Sequence, residues 1–332
     1  MTVHSESLES SVADQFNTVL RRHGLSPPKP CPALTTTGGQ VTYLVDRQKQ
    51  RVYSDFLRRS KLQIPEFVRL LRGETVRDSR PNKALDIPAR HPQWETYKYK
   101  SKWEDIVRHG VTPKWKKPFI KQQTPPANHG SARRALNTII KNLRSGQDTN
   151  RYLILDLDLL QSLDGITCSP FGAVQKGELE LSIDARLIHD LSFPKGSSVN
   201  DNTDDEGEIP VSYDGAAALA NRVLDVANDH PGKQYMMSGD VNGAFRNIPV
   251  ASEAVGRFTG TIPELRILVI DLYCPFGWSN SPSAYWVAGA GINHLYSNSR
   301  PTWPGQDELD MPPFDGKVWC DDHVSIEADI GS

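Results

Sequence analysis

The sequence lacks several features that mark common classes of protein. Its four cysteines, Cys31, Cys168, Cys274 and Cys320, show no CxxC spacing, which argues against a zinc module and a disulfide framework. No apolar run approaches the ~20 residues that cross a bilayer. The N-terminus MTVHSESLESSV has neither the basic head nor the apolar core of a secretory signal. We therefore expect an intracellular protein with no membrane partner, and both the nucleus and the cytoplasm are compatible with this sequence.

The net charge of the chain is also close to zero, but the charged residues are unevenly distributed. The net charge is −2, while residues 81–145 contain 14 Lys or Arg and 4 Asp or Glu, a local charge of +10. Such asymmetry favours a basic surface that binds a polyanion, with a solvated linker as the alternative. We predict that nucleic acid binds to six of the basic residues in this region, namely Lys114, Lys116, Lys117, Lys121, Arg133 and Arg134.

The pattern of apolar and turn residues divides the chain into regions. Residues 1–40 begin with a predicted helix at 8–22 and run into a Pro/Gly/Thr stretch that predicts disorder. Residues 41–130 read as a basic, partly helical extension, whose interleaved aromatic residues either stack on bases or pin the segment to a core. A helix at 131–144 follows, with Ser131 as its N-cap and Ala135, Ile139 and Leu143 on one face.

The second half of the chain alternates between strands and helices. We predict strands at 171–175 and 179–188, a helix at 214–227, a strand at 234–239, and a hairpin at 255–260 and 265–273. A helix at 283–296 and a hairpin at 317–320 and 323–326 follow. Helices that pack on one face of an antiparallel sheet make an α+β domain.

Acidic residues stand at the ends of two of these strands. Asp240 closes the strand in GDVNGAFRNIPV, and the pair Asp321-Asp322 lies at the tip of the hairpin KVWCDDHVSIE. Carboxylates that converge repel each other, so a fold keeps them together mainly when cations neutralise them. The pattern predicts a divalent-metal site for phosphoryl transfer, although each acid alone is typical of an ordinary turn.

Two further strings carry residues with matching chemistry. The string beginning SPFGAVQKGELELSIDARLIHDLSFPKGSSVND places Lys176 and Arg186 on a hairpin, where they could grip a triphosphate or simply be surface charges. The string YCPFGWSNSPSAYW offers Gly and small residues that let a base pair approach the backbone. Phe245, five residues after Asp240, suits the wall of a sugar pocket but is equally typical of a core.

Taken in order, these four strings resemble a reverse transcriptase, an RNA-directed DNA polymerase. The likeness is strongest to retroelements of the DIRS type, with gypsy-like elements next, and it covers about residues 169–326. By this resemblance, Asp240, Asp321 and Asp322 are the catalytic acids. The metal ligands are then Asp240, Asp321 and the Val241 carbonyl.

The resemblance also implies the cofactor and the partners. Two Mg²⁺ or Mn²⁺ ions would act at the carboxylates, and a template with its primer and deoxynucleoside triphosphates would be the partners. The nucleotide-binding residues are implied to be Lys176, Arg186, Phe245, Phe276 and Gly277, with Phe245 as the gate against a ribose 2′-hydroxyl.

The implied fold is a right-hand polymerase, with fingers at 131–213 and a palm at 214–332 whose ferredoxin-like antiparallel sheet has helices on one face. Trp319-Cys320 before the acid pair and Gly177 after Lys176 depart from the usual pattern. The chain stops ten residues after Asp322, so we expect the thumb to be absent. Two alternatives stand beside the polymerase: an inactive retroelement remnant that only binds nucleic acid through residues 81–145, and a two-metal nuclease.

Overall fold

The computed structural model describes residues 3–300 and 313–329, and their side chains from residue 10 onward. Within the predicted palm range 214–332, residues 301–312 and 330–332 lie outside the described residues. The helices are α1 (Val3–Arg22), α2 (Arg47–Ser60), α3 (Ile64–Arg72), α4 (Lys100–His109), α5 (Gly130–Arg134), α6 (Leu136–Asp148), α7 (Val199–Asn202), α8 (Ala216–Asp229) and α9 (Ser281–Ser297). Within the described ranges, no helix is both long and apolar enough to cross a membrane.

The strands form small antiparallel sheets. They are β1 (Leu34–Thr37), β2 (Gln40–Tyr43), β3 (Lys114–Trp115), β4 (Tyr152–Asp156), β5 (Phe171–Gln175), β6 (Ala185–His189), β7 (Thr203–Asp204), β8 (Gln234–Asp240), β9 (Thr259–Ile262), β10 (Ile267–Asp271), β11 (Gly316–Trp319) and β12 (Asp322–Ala328). The sheet orders are β1-β2, β4-β10-β9, β11-β12-β8, β3-β7 and β5-β6. Helices combined with antiparallel sheets confirm the predicted α+β class.

The chain divides into two compact units. Unit 1 comprises residues 1–85, 106–206 and 246–281, and unit 2 comprises residues 86–105, 207–245 and 282–332. This division differs from the predicted extension, fingers and palm. The predicted palm segment 246–281 belongs to unit 1 because β10 pairs with β4 along its whole length. The assignment of fingers and palm themselves stays a prediction.

Unit 1 includes the N-terminal helix and the helices of residues 41–85. In α1, Phe16 and Leu20 are buried, and the Phe16 ring packs edge-on against Tyr53 of α2 and Phe67 of α3, with centroids 5.4 and 5.9 Å apart. The buried aromatic cluster is the kind of apolar contact that orders a helix. The helix predicted at 8–22 is therefore present as α1, which begins at Val3.

The core of unit 1 lies between α5, α6 and the strands. Ala135, Ile139 and Leu143 are all buried, as their helical spacing predicts. The helix is broken at Ala135, however, and the N-cap is His129 instead of Ser131. The Ser131 hydroxyl accepts a hydrogen bond from the Ala173 amide at 3.1 Å instead, so it ties α5 to β5.

A buried ion pair anchors the segment that follows β8. The Arg246 guanidinium, in unit 1, contacts the Asp271 carboxylate at the end of β10, and it lies over the Tyr152 ring at 4.6 Å. Burial works against the charge of Arg246, but the Asp271 carboxylate outweighs it and raises the pKa of Arg246. Removing one partner of such a pair is costly because it leaves a buried charge uncompensated.

Unit 2 contains α8, most of α9 and the β11-β12-β8 sheet. The Arg222 side chain of α8 donates to the Ile326 carbonyl at 2.9 Å and to the Glu327 carboxylate at 2.6 Å, which fastens the helix to β12. In the described residues this sheet has three strands, one fewer than a complete ferredoxin-like βαββαβ unit supplies.

The aromatic residues of 81–130 mostly serve as anchors. Trp94 and Tyr97 are buried, and the Tyr97 hydroxyl donates to the Val287 carbonyl at 2.6 Å. The Trp103 indole donates to the Asp86 carbonyl at 3.0 Å. Of the two interpretations given by the sequence, these contacts favour pinning to a core.

Candidate active site

The three acidic residues predicted to be catalytic lie at one end of the unit 2 sheet. Asp240 ends β8 and Asp322 begins β12, and the two are direct cross-strand partners. Side chains of directly opposite residues emerge on the same face of an antiparallel sheet, with Cβ atoms roughly 5 Å apart. The pairing therefore brings two carboxylate-bearing residues from distant parts of the sequence side by side.

Asp321 joins them through the turn of the β11–β12 hairpin. Trp319 and Asp322 are partners across that hairpin, so Cys320 and Asp321 form its two-residue turn. The Asp321 carbonyl accepts a hydrogen bond from the Val241 amide at 3.0 Å, which holds the turn against the residue after Asp240. Cys320 has φ 54°, a left-handed conformation that a non-glycine residue adopts rarely and often at functional sites.

Within the described ranges, these carboxylates form no ion pair. Among residues 3–300 and 313–329, no Lys, Arg or His nitrogen lies within 4 Å of the carboxylates of Asp240, Asp321 or Asp322, and Asp240 and Asp322 are exposed. Uncompensated acids that converge at one place favour a bound cation. Carboxylate oxygens are also the ligands that Mg²⁺ prefers, so the donor set fits the predicted ions.

No group of three His, Cys, Asp or Glu side chains within the described ranges is arranged to hold a metal by itself. The predicted ligand set differs from such a group because it comprises two carboxylates and the Val241 carbonyl. That carbonyl already accepts a hydrogen bond from the Ala244 amide at 2.9 Å, but a carbonyl oxygen has a second lone pair. Mg²⁺ commonly completes its coordination with water and substrate phosphates.

Phe245 and Tyr285 form an aromatic wall near these acids. Phe245 lies on a 3-10 turn spanning Ala244–Asn247 and is 8% exposed. Its ring centroid is 5.8 Å from that of Tyr285 in α9. Phe245 is therefore buried against Tyr285, as in the core position that the sequence also allows, and its role as the wall of a sugar pocket stays a prediction.

Tyr285 was not singled out by the sequence. Its hydroxyl is buried, and among the residues that the structure describes it has no hydrogen-bond partner. Burial raises the pKa of this hydroxyl, and the charges of Asp321, Cys320 and Asp240 raise it further. Tyr285 thus lies near the carboxylates. The sequence did not indicate this, because in the string SPSAYW it is simply an aromatic residue on a helix, and such a residue usually belongs to the core.

Two other residues missed by the sequence brace the hairpin. The Asp214 carboxylate accepts a hydrogen bond from the Val318 amide at 2.9 Å, and the Val318 carbonyl accepts one from the Asp214 amide at 2.8 Å. The Tyr213 ring lies 5.5 Å from that of Trp319, which immediately precedes the turn. These contacts fix β11 and hence the position of Asp321.

The two predicted phosphate-binding cations share the β5–β6 hairpin of unit 1. Arg186 is exposed on β6 opposite Val174. Lys176 follows β5 and forms an ion pair of 3.6 Å with Asp184, with 58% of its side chain exposed. The strand β5 has its predicted bounds, but the second strand is shorter than predicted, because β6 begins at Ala185 and residues 176–184 form a loop.

Phe276 and Gly277 also belong to unit 1. Phe276 is 52% exposed. Gly277 has φ 114°, and a Cβ atom there would lie 2.5 Å from the His189 carbonyl oxygen, so only glycine fits. The Gly277 carbonyl accepts a hydrogen bond from the Asn200 side-chain amide at 2.8 Å, which connects this turn to the string RLIHDLSFPKGSSVND.

The six predicted nucleic-acid-binding residues are all exposed and all in unit 1. Acidic neighbours are close to three of them: Lys116 is 3.8 Å from Asp205, Lys121 is 3.7 Å from Asp164, and Arg133 is 3.5 Å from Glu264. Such exposed pairs contribute little to stability and leave the cations accessible. The binding role of these residues remains a prediction.

Comparison with known proteins adds one distant structural likeness. No protein-family model matches the chain, and no curated protein matches it. A solved structure of a foamy viral protease-reverse transcriptase in complex with double-stranded DNA is similar to 67% of this chain at 15% identity, with a TM-score of 0.39. The matched part is 29% of the foamy viral chain, and at that TM-score the likeness is too low to establish a common fold.

Proposed function

We propose that this chain carries the nucleotidyl-transfer centre of a retroelement reverse transcriptase. The reaction is the templated addition of deoxynucleotides to a primer 3′ end. One observation carries the proposal: Asp240 is the cross-strand partner of Asp322, and the Val241 amide holds the turn that contains Asp321. Three acids without basic partners are thereby gathered at one end of a sheet, in the order along the chain that the resemblance implies.

In this proposal Asp240, Asp321 and the Val241 carbonyl hold two Mg²⁺ or Mn²⁺ ions. When bound, such ions activate the attacking hydroxyl and stabilise the leaving pyrophosphate. The protein itself keeps the acids converged against their mutual repulsion. It does so through three contacts, namely the β8–β12 ladder, the bond between Val241 and Asp321, and the brace between Asp214 and Val318.

Substrate selection is assigned to other residues. Arg186 and Lys176 bind the triphosphate of the incoming nucleotide, the first as a planar fork and the second as a point charge. Phe245 excludes the ribose 2′-hydroxyl by steric clash. Its ring has little freedom to move because it is buried against Tyr285, and a rigid wall discriminates between sugars better than a mobile one.

Primer extension on poly(rA)/oligo(dT) with Mg²⁺ or Mn²⁺ tests this function. We expect longer primers with the wild-type chain and none with Asp321→Asn. The matched control is Asp225→Asn, which removes an exposed acid from α8 of the same unit and should leave extension unchanged.

The length of the primer distinguishes the alternatives. Unchanged primers with retained duplex binding would favour the inactive remnant that binds through residues 81–145. Shortened primers would favour the two-metal nuclease. Either outcome contradicts the polymerase.

A further inference from the structure

Unit 1 contains a large groove that the proposed function does not use. It has a volume of about 1320 Å³ and lies between α2, the segment after β4, and the ends of β9 and β10. Six basic and three acidic residues line it, so its net charge is +3. The basic residues are Arg47, Arg51, Arg58, Lys121, Arg257 and Arg266. We call this cavity the arginine groove.

Each of the three acids of the groove has a basic partner within it, and Arg58 serves two of them. Asp156 accepts hydrogen bonds from Arg58 at 2.7 Å and from the Gln50 amide at 2.7 Å. Asp158 is 2.9 Å from the same Arg58, and Asp164 is 3.7 Å from Lys121. Arg58 and Lys121 are therefore committed to partners inside the groove.

The other four arginines have no such partner. Among the residues that the structure describes, no carboxylate lies within 4 Å of Arg47, Arg51, Arg257 or Arg266. Burial lowers the pKa of Arg47 and the nearby charge of Arg51 lowers it further, while the charge of Asp156 opposes them only in part. Cations gathered in this way repel one another, and an anion in the groove would relieve that repulsion.

Two of the four guanidinium groups are held in place. Arg257 lies over the Phe119 ring at 4.1 Å and donates to the Thr167 hydroxyl at 3.0 Å. The Arg47 Nη1 donates to the Leu265 carbonyl at 2.9 Å. Fixed guanidinium groups lose little entropy when they bind, so they suit the planar, two-point recognition of phosphate.

Arg266 occupies a backbone position that would favour glycine. It has φ 55°, in the left-handed region, between a 3-10 turn and β10. A non-glycine residue is strained there, and strained positions are more common at functional sites. The backbone conformation would favour glycine, but the residue is an arginine, and its guanidinium group lines the groove.

We propose that the arginine groove binds the phosphodiester backbone of a single strand of nucleic acid. Its volume exceeds the ~300–1,000 Å³ that is typical of small-molecule sites, which favours a chain over one nucleotide. The lining offers several guanidinium groups that, among the described residues, have no carboxylate within 4 Å and could contact successive phosphates, and Phe119 adds an aromatic ring of the kind that contacts bases. The groove uses none of the residues assigned to nucleotidyl transfer, so this proposal stands or fails independently of that activity.

Binding of a fluorescein-labelled oligo(dT) strand to the full chain, measured over a series of KCl concentrations, tests the proposal. The test variant is Arg51→Gln/Arg266→Gln, which changes two exposed side chains of the groove. We expect affinity at low salt to fall about tenfold or more, since hydrogen bonds to charged groups are strong. The slope of log K against log salt should fall by about 1.4, because each single-strand phosphate contact contributes roughly 0.7.

A matched control separates the groove from general charge. Arg21→Gln/Arg22→Gln also removes two exposed arginines from unit 1, and it should leave affinity and slope nearly unchanged. Equal weakening by both double variants, or no weakening by the groove variant, would overturn the proposal. If inorganic tripolyphosphate displaces the labelled strand as effectively as the unlabelled strand does, the proposal is overturned, and the groove binds a small polyphosphate instead.

A third variant distinguishes a loss of strand binding from a loss of folding. Arg266→Gly deletes the guanidinium at a backbone position that suits glycine, so the protein should remain as stable as the wild type while strand binding weakens. Unchanged binding in a stable Arg266→Gly protein would contradict the role of this residue.

Discussion

Asp240 of β8 and Asp322 of β12 are direct cross-strand partners in unit 2. Like charges that face each other on one side of a sheet are destabilising, and among the described residues no Lys, Arg or His nitrogen lies within 4 Å of either carboxylate. The fold therefore carries a local electrostatic cost at the point where the resemblance places catalysis. A bound cation, or mutation of one acid, should relieve this repulsion, and the change in the free energy of unfolding measures the relief.

Replacing Asp322 with Asn should stabilise the protein in the absence of divalent cations. We expect Asp322→Asn to raise the free energy of unfolding by about 0.5 kcal/mol in EDTA at low salt, as removal of a like-charge cross-strand pair implies. Urea unfolding measures this change, and high salt should reduce it. A loss of stability in EDTA would contradict the repulsion.

Divalent cations should stabilise the wild-type protein more than this variant. A ligand that binds only the folded state adds about 2.7 kcal/mol when it is present at 100 times its Kd. Mn²⁺ should therefore shift wild-type unfolding to higher urea, and it should shift Asp322→Asn or Asp240→Asn less. The control Asp225→Asn should respond to Mn²⁺ as the wild type does.

The two buried tyrosines of unit 2 should respond in opposite directions to loss of their hydroxyls. The Tyr285 hydroxyl has no partner, whereas the Tyr97 hydroxyl donates to the Val287 carbonyl. A buried polar group without a partner costs roughly 1–3 kcal/mol, and a satisfied hydrogen bond contributes roughly 0.5–1.5 kcal/mol. Tyr285→Phe should thus raise the free energy of unfolding by about 1 kcal/mol, and Tyr97→Phe should lower it by about 1 kcal/mol. A destabilised Tyr285→Phe protein would show that this hydroxyl is satisfied in solution.

Shortening Phe245 should relax sugar selectivity. Phe245→Val opens space where the ring contacts Tyr285, and a ribose 2′-hydroxyl would then fit. The measurement is the ratio of deoxynucleotide to ribonucleotide incorporation, which a general loss of activity does not change. Because Phe245 is largely buried, we also expect a loss of stability of about 2 kcal/mol. An active Phe245→Val protein with unchanged selectivity would remove the gate assignment.

The free energy of unfolding should decrease as the pH decreases, because of His189. Its Nε2 lies 3.1 Å from the Thr259 carbonyl oxygen, its Nδ1 is buried without a partner, and burial lowers its pKa to about 4. The unfolded histidine has a pKa near ~6.5, so the unfolded chain takes up the proton first as pH falls. The stabilisation is complete above about pH 6.5 and is lost toward pH 4, a total of about 3 kcal/mol.

The variant His189→Gln tests this assignment because Gln can still donate to the Thr259 carbonyl. Its free energy of unfolding should decline less between pH 6.5 and pH 4 than that of the wild type. His230→Gln, which changes an exposed histidine, should keep the wild-type dependence. An identical pH dependence in His189→Gln and wild type would contradict the account.

Local patterns in the sequence predicted many of these elements well. The strand ending at Asp240, the helix beginning near Ser283 and the hairpin around Asp321 all appear close to their predicted bounds. Each has a strong local signal, namely an apolar period or a turn.

Features that depend on distant partners were not predictable in this way. The N-cap was misplaced because Ser131 bonds to Ala173, 42 residues further along the chain. The regional boundaries differed because β10 pairs with β4, a contact that no local pattern encodes. Tyr285 was missed for the same reason, since its unpartnered hydroxyl becomes visible only when α9 is packed.

The arginine groove illustrates the same limit for function. Arg47, Arg51, Arg257 and Arg266 are scattered over 220 residues of sequence, outside the basic region 81–145 that composition highlighted. Their convergence, and the commitment of Arg58 and Lys121 to nearby acids, exist only in the folded unit. Charge counting along the chain therefore found one candidate surface and missed the other.

The rate of single-deoxynucleotide incorporation by Asp321→Asn, relative to Asp225→Asn and wild type on the same primer–template, tests the central claim most directly. If Asp321 is a metal-binding carboxylate of the transfer centre, its amide variant should lose incorporation by on the order of 1,000-fold or more, with duplex binding unchanged and Asp225→Asn at the wild-type rate. Incorporation by Asp321→Asn at the wild-type rate would contradict the assignment of this site.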